Sequence, residues 1–269
     1  MTYENDLLEH LKKYKRDSLK ITSNGIWKNC PDREYEHILP NENRFMNILE
    51  PFREDFQFEK EKGEFKFRLD DLTHLNSSQA MGINLFYPFH FCEWYSPFLK
   101  ALEIDSEPIK LSCFEKLMSD QTNVDVFIQG ESGRRLLIEI KLKENGFGRA
   151  NCKSTDYQSI FETLAQNLVG VIKEEYLKPE YLKKHYQLFR YLSFLSQHSS
   201  DIFCLIVPRR NEYFQKEISV IDNIVVHQQR RKVKIAYLED IVNRLITDLQ
   251  SHDRLLQHFI SFKEKYIKF

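Results

Sequence analysis

Asp125, Glu139 and Lys141 break two aliphatic runs in NVDVFIQGESGRRLLIEIKLKENG, Asn123 to Gly146. Charge inside an apolar run is costly to bury unless it is paired or put to use. In an extended strand, residues two apart face the same way. Glu139 and Lys141 therefore share a face, with α-carbons about 7 Å apart. Ile138, Ile140 and Leu142 share the other face. A hairpin would lay the Asp125 strand beside the Glu139 strand. Two carboxylates on one face make an oxygen-ligand site for a hard divalent cation such as Mg²⁺. A lysine beside it can position a water or help deprotonate it, and can offset charge building on phosphorus. That set suits phosphodiester hydrolysis. The competing reading is a solvated hairpin face, the commoner case for any lone acid–x–lysine triplet. The weight rests on the combination of an upstream acid, a tight turn and the triplet inside an apolar strand.

The elements that must position these residues follow from period and punctuation. Strand-like runs fall at 109–114, 123–129, 135–143, 202–207 and 233–237, with Gly130-Glu131-Ser132-Gly133 turning the second into the third. Helical spacing marks 4–16, 74–89, 91–104, 155–173, 179–197 and 238–264. Asn76 or Ser77 can cap the second of these helices, and Pro88 is placed to end it. Strands, then helices, then further strands give a mixed α/β sandwich. No Pro/Gly/Ser-rich linker divides the chain. The expected organisation is one domain, with an N-terminal helical extension over 1–74 and an α/β core over 75–269.

Composition narrows the function classes. The 269 residues are 42% hydrophobic and 13% aromatic, which supports a packed core and excludes a disordered chain. Thirty-nine basic against 40 acidic residues leave a net charge of -1, so any nucleic-acid affinity must be local. The five cysteines are scattered, with no C-x-x-C, which argues against a zinc site or a disulfide scaffold. The charged N-terminal stretch lacks the apolar segment of a signal peptide. No apolar run approaches the ~18 residues of a membrane span. A reduced, cytoplasmic protein is the expectation.

Val124-Asp125 followed by Glu139-Ile140-Lys141 resembles the PD-(D/E)XK nuclease superfamily, the fold of many restriction endonucleases, with Val124 in place of the proline. The stretches EHILP, HLNSSQAMGINLFYPF, CFEKLM, IEIKLKENGFG and HYQLFRYLSFL resemble successive blocks of a bacterial, restriction-endonuclease-like group of that superfamily, across about residues 35–210. The resemblance implies a mixed β-sheet core flanked by helices and a Mg²⁺-dependent endonuclease in which Mn²⁺ can substitute. It makes Asp125 and Glu139 metal ligands, with the Ile140 backbone carbonyl as a third, and sets Lys141 on the attacking water. Glu115 matches an upstream helix acid that completes the metal shell; the alternative is an exposed helix residue. Gln187 matches a polar helix residue that points back at the site; the alternative is that it faces water. Arg190, one turn on, could contact phosphate. Glu144 follows the lysine as in the extended motif, or is a strand-end charge.

Other segments suggest DNA contacts. Ser78 and Gln79 open a helix whose N-terminus can hold phosphate, although a plain cap explains NSSQ as well. Arg149 lies in a glycine-hinged loop, GFGRANCK. Arg209, Arg210, Arg230 and Arg231 stand in the densest basic segments. EHILP also looks like the start of an HNH nuclease, but no suitably placed second histidine follows, so His37 is read as structural. The sequence thus points to a deoxyribonuclease acting on DNA in restriction or phage defence, with repair or mobile-element processing as the alternative context. The resemblance allows a homodimer, and a non-catalytic nucleic-acid-binding protein that keeps the nuclease fold is the alternative function.

Overall fold

The computed structural model describes residues 2–65, 72–148 and 157–269. The chain divides into two compact units, 1–106 with 237–269, and 107–236.

The first unit is helical. It holds α1 (Tyr3–Asp17), a hairpin of β1 (Gly25–Trp27) and β2 (Cys30–Tyr35), a 3₁₀ turn over Asn41–Asn47, α2 (Glu50–Glu61), α3 (Ser78–Phe91) and α4 (Ser96–Ala101). Ser77 caps α3 by accepting the Ala80 N–H, 3.3 Å. Ten successive residues of α3, Ala80 to Phe89, are buried, so this helix is the centre of its unit. Pro88 sits inside its last turns instead of ending it. Asn84, the polar residue in that run, is fully used: its Oδ1 accepts the Leu49 N–H and its amide donates to the Asn47 carbonyl and the Tyr266 hydroxyl.

The second unit carries a mixed five-stranded sheet in the order β3-β4-β5-β6-β7. Its elements are β3 (Ile109–Leu117), β4 (Asn123–Gly130), β5 (Arg135–Ile140), α5 (Tyr157–Leu168), α6 (Pro179–Lys184), α7 (Tyr186–Gln197), β6 (Ile202–Val207), α8 (Glu212–Ile224) and β7 (Val233–Tyr237). The chain then returns to the first unit as α9 (Leu238–Asp248) and α10 (Asp253–Tyr266). β3, β4 and β5 pair antiparallel, and β5 pairs parallel with β6. The mixed sheet flanked by helices, with a helical N-terminus, is the expected fold class. β5 and β6 are buried on both faces, which is why both read as continuous aliphatic runs. An ion pair between Arg135 and the fully buried Asp201 ties the start of β5 to the residue before β6.

Several element bounds differ from the sequence expectation. The hairpin β1–β2 is new, built where only turn signals were visible. The expected helix over 179–197 breaks at His185, whose ring bonds to Glu217 Oε2 at 3.1 Å. The expected helix over 238–264 is two helices that pack on each other, α9 and α10. CFEKLM is not helical. β3 continues to Leu117 because its ladder to β4 continues, Lys116 opposite Val124 and Leu117 opposite Asn123.

Candidate active site

β4 and β5 bring Asp125 and Glu139 together. Their ladder runs from Gln129 opposite Arg135 to Val126 opposite Ile138, one step short of the two acids. There a side chain takes over from the backbone: Asp125 Oδ2 accepts the Ile140 N–H at 2.7 Å. β5 then sends Glu139 and Lys141 to one side. Glu139 is 1% exposed and Lys141 9%, and Lys141 Nζ lies 2.5 Å from Glu139 Oε1. The Lys141 N–H still bonds to the Ile206 carbonyl, 3.0 Å, so β6 fixes the backbone beneath the lysine.

α7 closes the site from above. Gln187 Nε2 donates to Glu139 Oε1 at 2.9 Å, and Gln187 Oε1 accepts from Lys141 Nζ at 3.2 Å. An ammonium only donates and a carboxylate only accepts, so one amide orientation alone satisfies both partners. One turn on, Tyr191 places its hydroxyl against Glu139 Oε2 and within 3.0 Å of the Asn123 carbonyl. Its ring stacks on Phe203 of β6, centroids 4.9 Å apart.

Electrostatics set the character of this cluster. Burial pushes the Asp125 carboxyl well above the usual range, and the nearby Glu139 charge pushes it further. Burial also raises Glu139, opposed by Lys141. Burial alone would lower Lys141, but Glu139 and Asp125 outweigh it and hold the ammonium above its ordinary value. The Tyr191 phenol is raised strongly by burial and then by Glu139. Two carboxyl groups thus share one ammonium, and a cation bound between them would relieve the repulsion that raises Asp125.

Glu115 lies in β3, not on a helix, and its backbone is in the left-handed region, φ 50. A non-glycine residue held there marks local strain that re-aims its side chain. Its carboxylate meets the Asn123 amide, and its charge is felt by both Asp125 and Tyr191. Glu144 turns back on the chain after Lys141: its Oε2 accepts the Leu142 and Lys143 N–H groups at 2.7 and 3.0 Å. Asn211, buried at the N-cap of α8, donates to the Leu142 and Glu144 carbonyls. Gly148, at φ 61, lies beside α7: an added Cβ would be 3.8 Å from Gln187 Oε1, an ordinary contact.

The expected DNA-contact residues separate. Arg190 is committed to the β3–β4 turn: it donates to the Asp120 carbonyl at 2.5 Å and to Asp120 Oδ2 at 3.3 Å, with its guanidinium over the Tyr186 ring. Arg209 and Arg210 are exposed in the turn between β6 and α8, immediately before Asn211. Arg230 pairs with Asp222 and donates to the Val233 carbonyl, while Arg231 beside it is exposed. Ser78 and Gln79 form the first turn of α3 in the first unit. Arg149 lies outside the described residues. Sequence reasoning passed over Tyr191 and Asn211. Tyr191 was findable, since it stands four residues after Gln187 and therefore on the same helix face. Asn211 carried no comparable signal.

Asp125 and Glu139 could hold a cation, with the Ile140 carbonyl as a neutral donor. Among the described residues no group of three or more His, Cys, Asp or Glu side chains is placed to hold a metal. Two carboxylates completed by a carbonyl and water suit Mg²⁺, which keeps several waters and takes one or two carboxylates. They do not suit a closed four-ligand zinc site.

A mixed sheet with an acid–acid–lysine cluster at the ends of adjacent strands defines a restriction-endonuclease-like protein. The chain belongs to the family described as Restriction Endonuclease associating with ARP, which matches residues 8–267. No curated protein and no solved structure matches it.

Proposed function

We propose that this protein is a metal-dependent deoxyribonuclease of the PD-(D/E)XK type, hydrolysing DNA phosphodiester bonds with Mg²⁺ or Mn²⁺. The observation that carries the reading is the convergence of Asp125, Glu139 and Lys141, with Gln187 bonded to both of the last two. Solvated hairpin charges would not be buried among aromatic and aliphatic side chains, nor share one amide. Asp125 and Glu139, with the Ile140 carbonyl, would hold the cation, and Glu115 would act through its waters. A divalent cation there would supply Lewis acidity, acidifying water and offsetting phosphate charge. Lys141 holds the attacking water by hydrogen bonding and shields charge on phosphorus. Gln187 and Tyr191 keep the Glu139 carboxylate in one orientation. Arg209 and Arg210, exposed immediately before Asn211, would contact phosphate; Arg190 clamps the β3–β4 turn. The family description, a restriction endonuclease, supports DNA as the substrate; restriction or phage defence in the cytoplasm is the context this reading assigns.

The test is incubation of supercoiled and linear DNA with the protein in Mg²⁺, Mn²⁺ or EDTA, beside Glu139→Ala. Cutting that needs metal and is lost in the variant is expected. Cutting that persists in EDTA or in Glu139→Ala overturns the assignment.

A further inference from the structure

A cleft of about 850 Å³ opens in the first unit, within the size range of small-molecule and nucleotide sites. Its floor is apolar: Gly25 and Ile26 of β1, Leu39, Pro40 and Phe45. That floor is rigidly built. The Gly25 N–H bonds to the Ile38 carbonyl at 2.9 Å, and the Leu39 N–H to the Thr73 carbonyl at 2.8 Å. At Gly25 an added Cβ would fall 2.2 Å from the Leu39 carbonyl oxygen, so only glycine permits this approach.

The polar groups of the cleft are of a particular kind. Lys28 and Arg44 are exposed at the rim, against the two carboxylates of Glu42 and Glu61, while Lys60 Nζ donates to the Phe65 carbonyl at 2.6 Å. Arg44 lies over the Phe45 ring, 5.0 Å from its centroid. Asn24 is held from behind by the buried Lys15, whose Nζ donates to Asn24 Oδ1 at 3.0 Å and to the Ser23 carbonyl at 2.9 Å. An ammonium has no acceptor, so the amide oxygen must face Lys15. The Asn24 NH₂ is thereby left as a fixed donor at the cleft wall. Beside it His74 lines the cavity, with the half-buried Trp27 edge-on to it at 6.4 Å.

An apolar, partly aromatic floor takes the face of a planar ring. A fixed amide donor and rim carboxylates match the acceptors and exocyclic amines of a base edge. The rim cations match a phosphate. We propose that this cleft binds a nucleotide, the base on the floor and the phosphate against Lys28 and Arg44. The proposal deepens the nuclease reading by giving the first unit a role in nucleic-acid recognition, and it rests on that reading only for a strand as the natural source.

The test uses the full chain in EDTA. Binding of a 5′-labelled single-stranded oligonucleotide is followed by fluorescence anisotropy, with a free deoxynucleoside monophosphate as competitor. The double variant Lys28→Glu/Arg44→Glu should bind about tenfold more weakly than wild type or worse, given two lost phosphate contacts. Both substituted residues are exposed, and an unchanged thermal melt confirms that the variant folds. Both tryptophans, Trp27 and Trp94, lie in the first unit, and the emission change on binding should disappear in Trp27→Phe. Competition by the monophosphate assigns a free nucleotide; competition by oligonucleotide alone assigns a strand. Undiminished affinity in the double variant, or no binding of either ligand by wild type, overturns the proposal. Plasmid cutting by the same proteins separates the two readings: cutting without cleft binding leaves the nuclease standing, and cleft binding without cutting leaves the cleft.

Discussion

Tyr191 sets its hydroxyl against Glu139 Oε2 while its ring stacks on Phe203, so β6 and α7 together aim one carboxylate of the candidate site. The contact and the packing belong to different atoms of one side chain and can be separated. In Tyr191→Phe the ring stays and the hydrogen bond to Glu139 goes. A hydrogen bond to a charged group is worth about 1.5–3 kcal/mol, which corresponds to about ten- to hundredfold in rate. DNA cleavage should fall by that factor with DNA affinity unchanged. Steady-state kinetics beside equilibrium binding would check this, and an unaltered kcat would show that Glu139 needs no such support.

Lys141 and Glu139 are expected to behave as a pair in stability as well as in catalysis. Lys141→Met should abolish cutting and also destabilise the fold, by about 3–5 kcal/mol, because it strands a buried carboxylate. Neutralising both, in Glu139→Gln/Lys141→Met, should recover most of that loss while remaining inactive. Urea denaturation of the two single variants and the double variant completes the cycle. Additive losses would mean that the two groups do not interact.

Asp125→Asn should remove the rise in melting temperature that Mn²⁺ or Mg²⁺ gives the wild type. The variant keeps an oxygen to accept the Ile140 N–H, so β4 and β5 should still meet. A thermal melt with and without metal reads the difference. Metal stabilisation equal to wild type would place the cation elsewhere.

His258 predicts how stability responds to acid. The ring is buried in the first unit with Nε2 2.6 Å from the Asn84 carbonyl, and Nδ1 has no partner. A carbonyl only accepts, so Nε2 carries the hydrogen; burial and an unpartnered Nδ1 favour the neutral ring. Burial lowers its pKa from 6.5 to about 4. Between those values the unfolded chain binds a proton that the folded one refuses. This contribution is therefore complete above pH 6.5, declines as pH falls, and is lost near pH 4. Its size is about 3 kcal/mol. Denaturation followed by tryptophan emission should show a shallower acid slope in His258→Gln, and an identical slope would exclude His258 as the source.

The sequence by itself determined what is local. Runs of aliphatic residues bounded by polar ones placed β4 and β6 within a residue of their ends, and the Gly130–Gly133 turn joined β4 to β5. The spacing of Glu139 and Lys141 put both on one face without any tertiary contact, because the pleat has a period of two. Tertiary structure decided what depends on partners distant in the chain. Glu115 reads as a helix acid in CFEKLM, but pairing with β4 keeps its segment extended. Arg190 reads as a free cation, and only the return of the β3–β4 turn beside α7 supplies Asp120 to engage it. The break at His185 follows from Glu217, 32 residues away. Asn211 acquires its function from two carbonyls in a loop 67 and 69 residues earlier. Burial decides the rest: charge type is written in the residues, but the desolvation that shifts Asp125, Glu139 and Lys141 arises only when β5, β6 and α7 close around them.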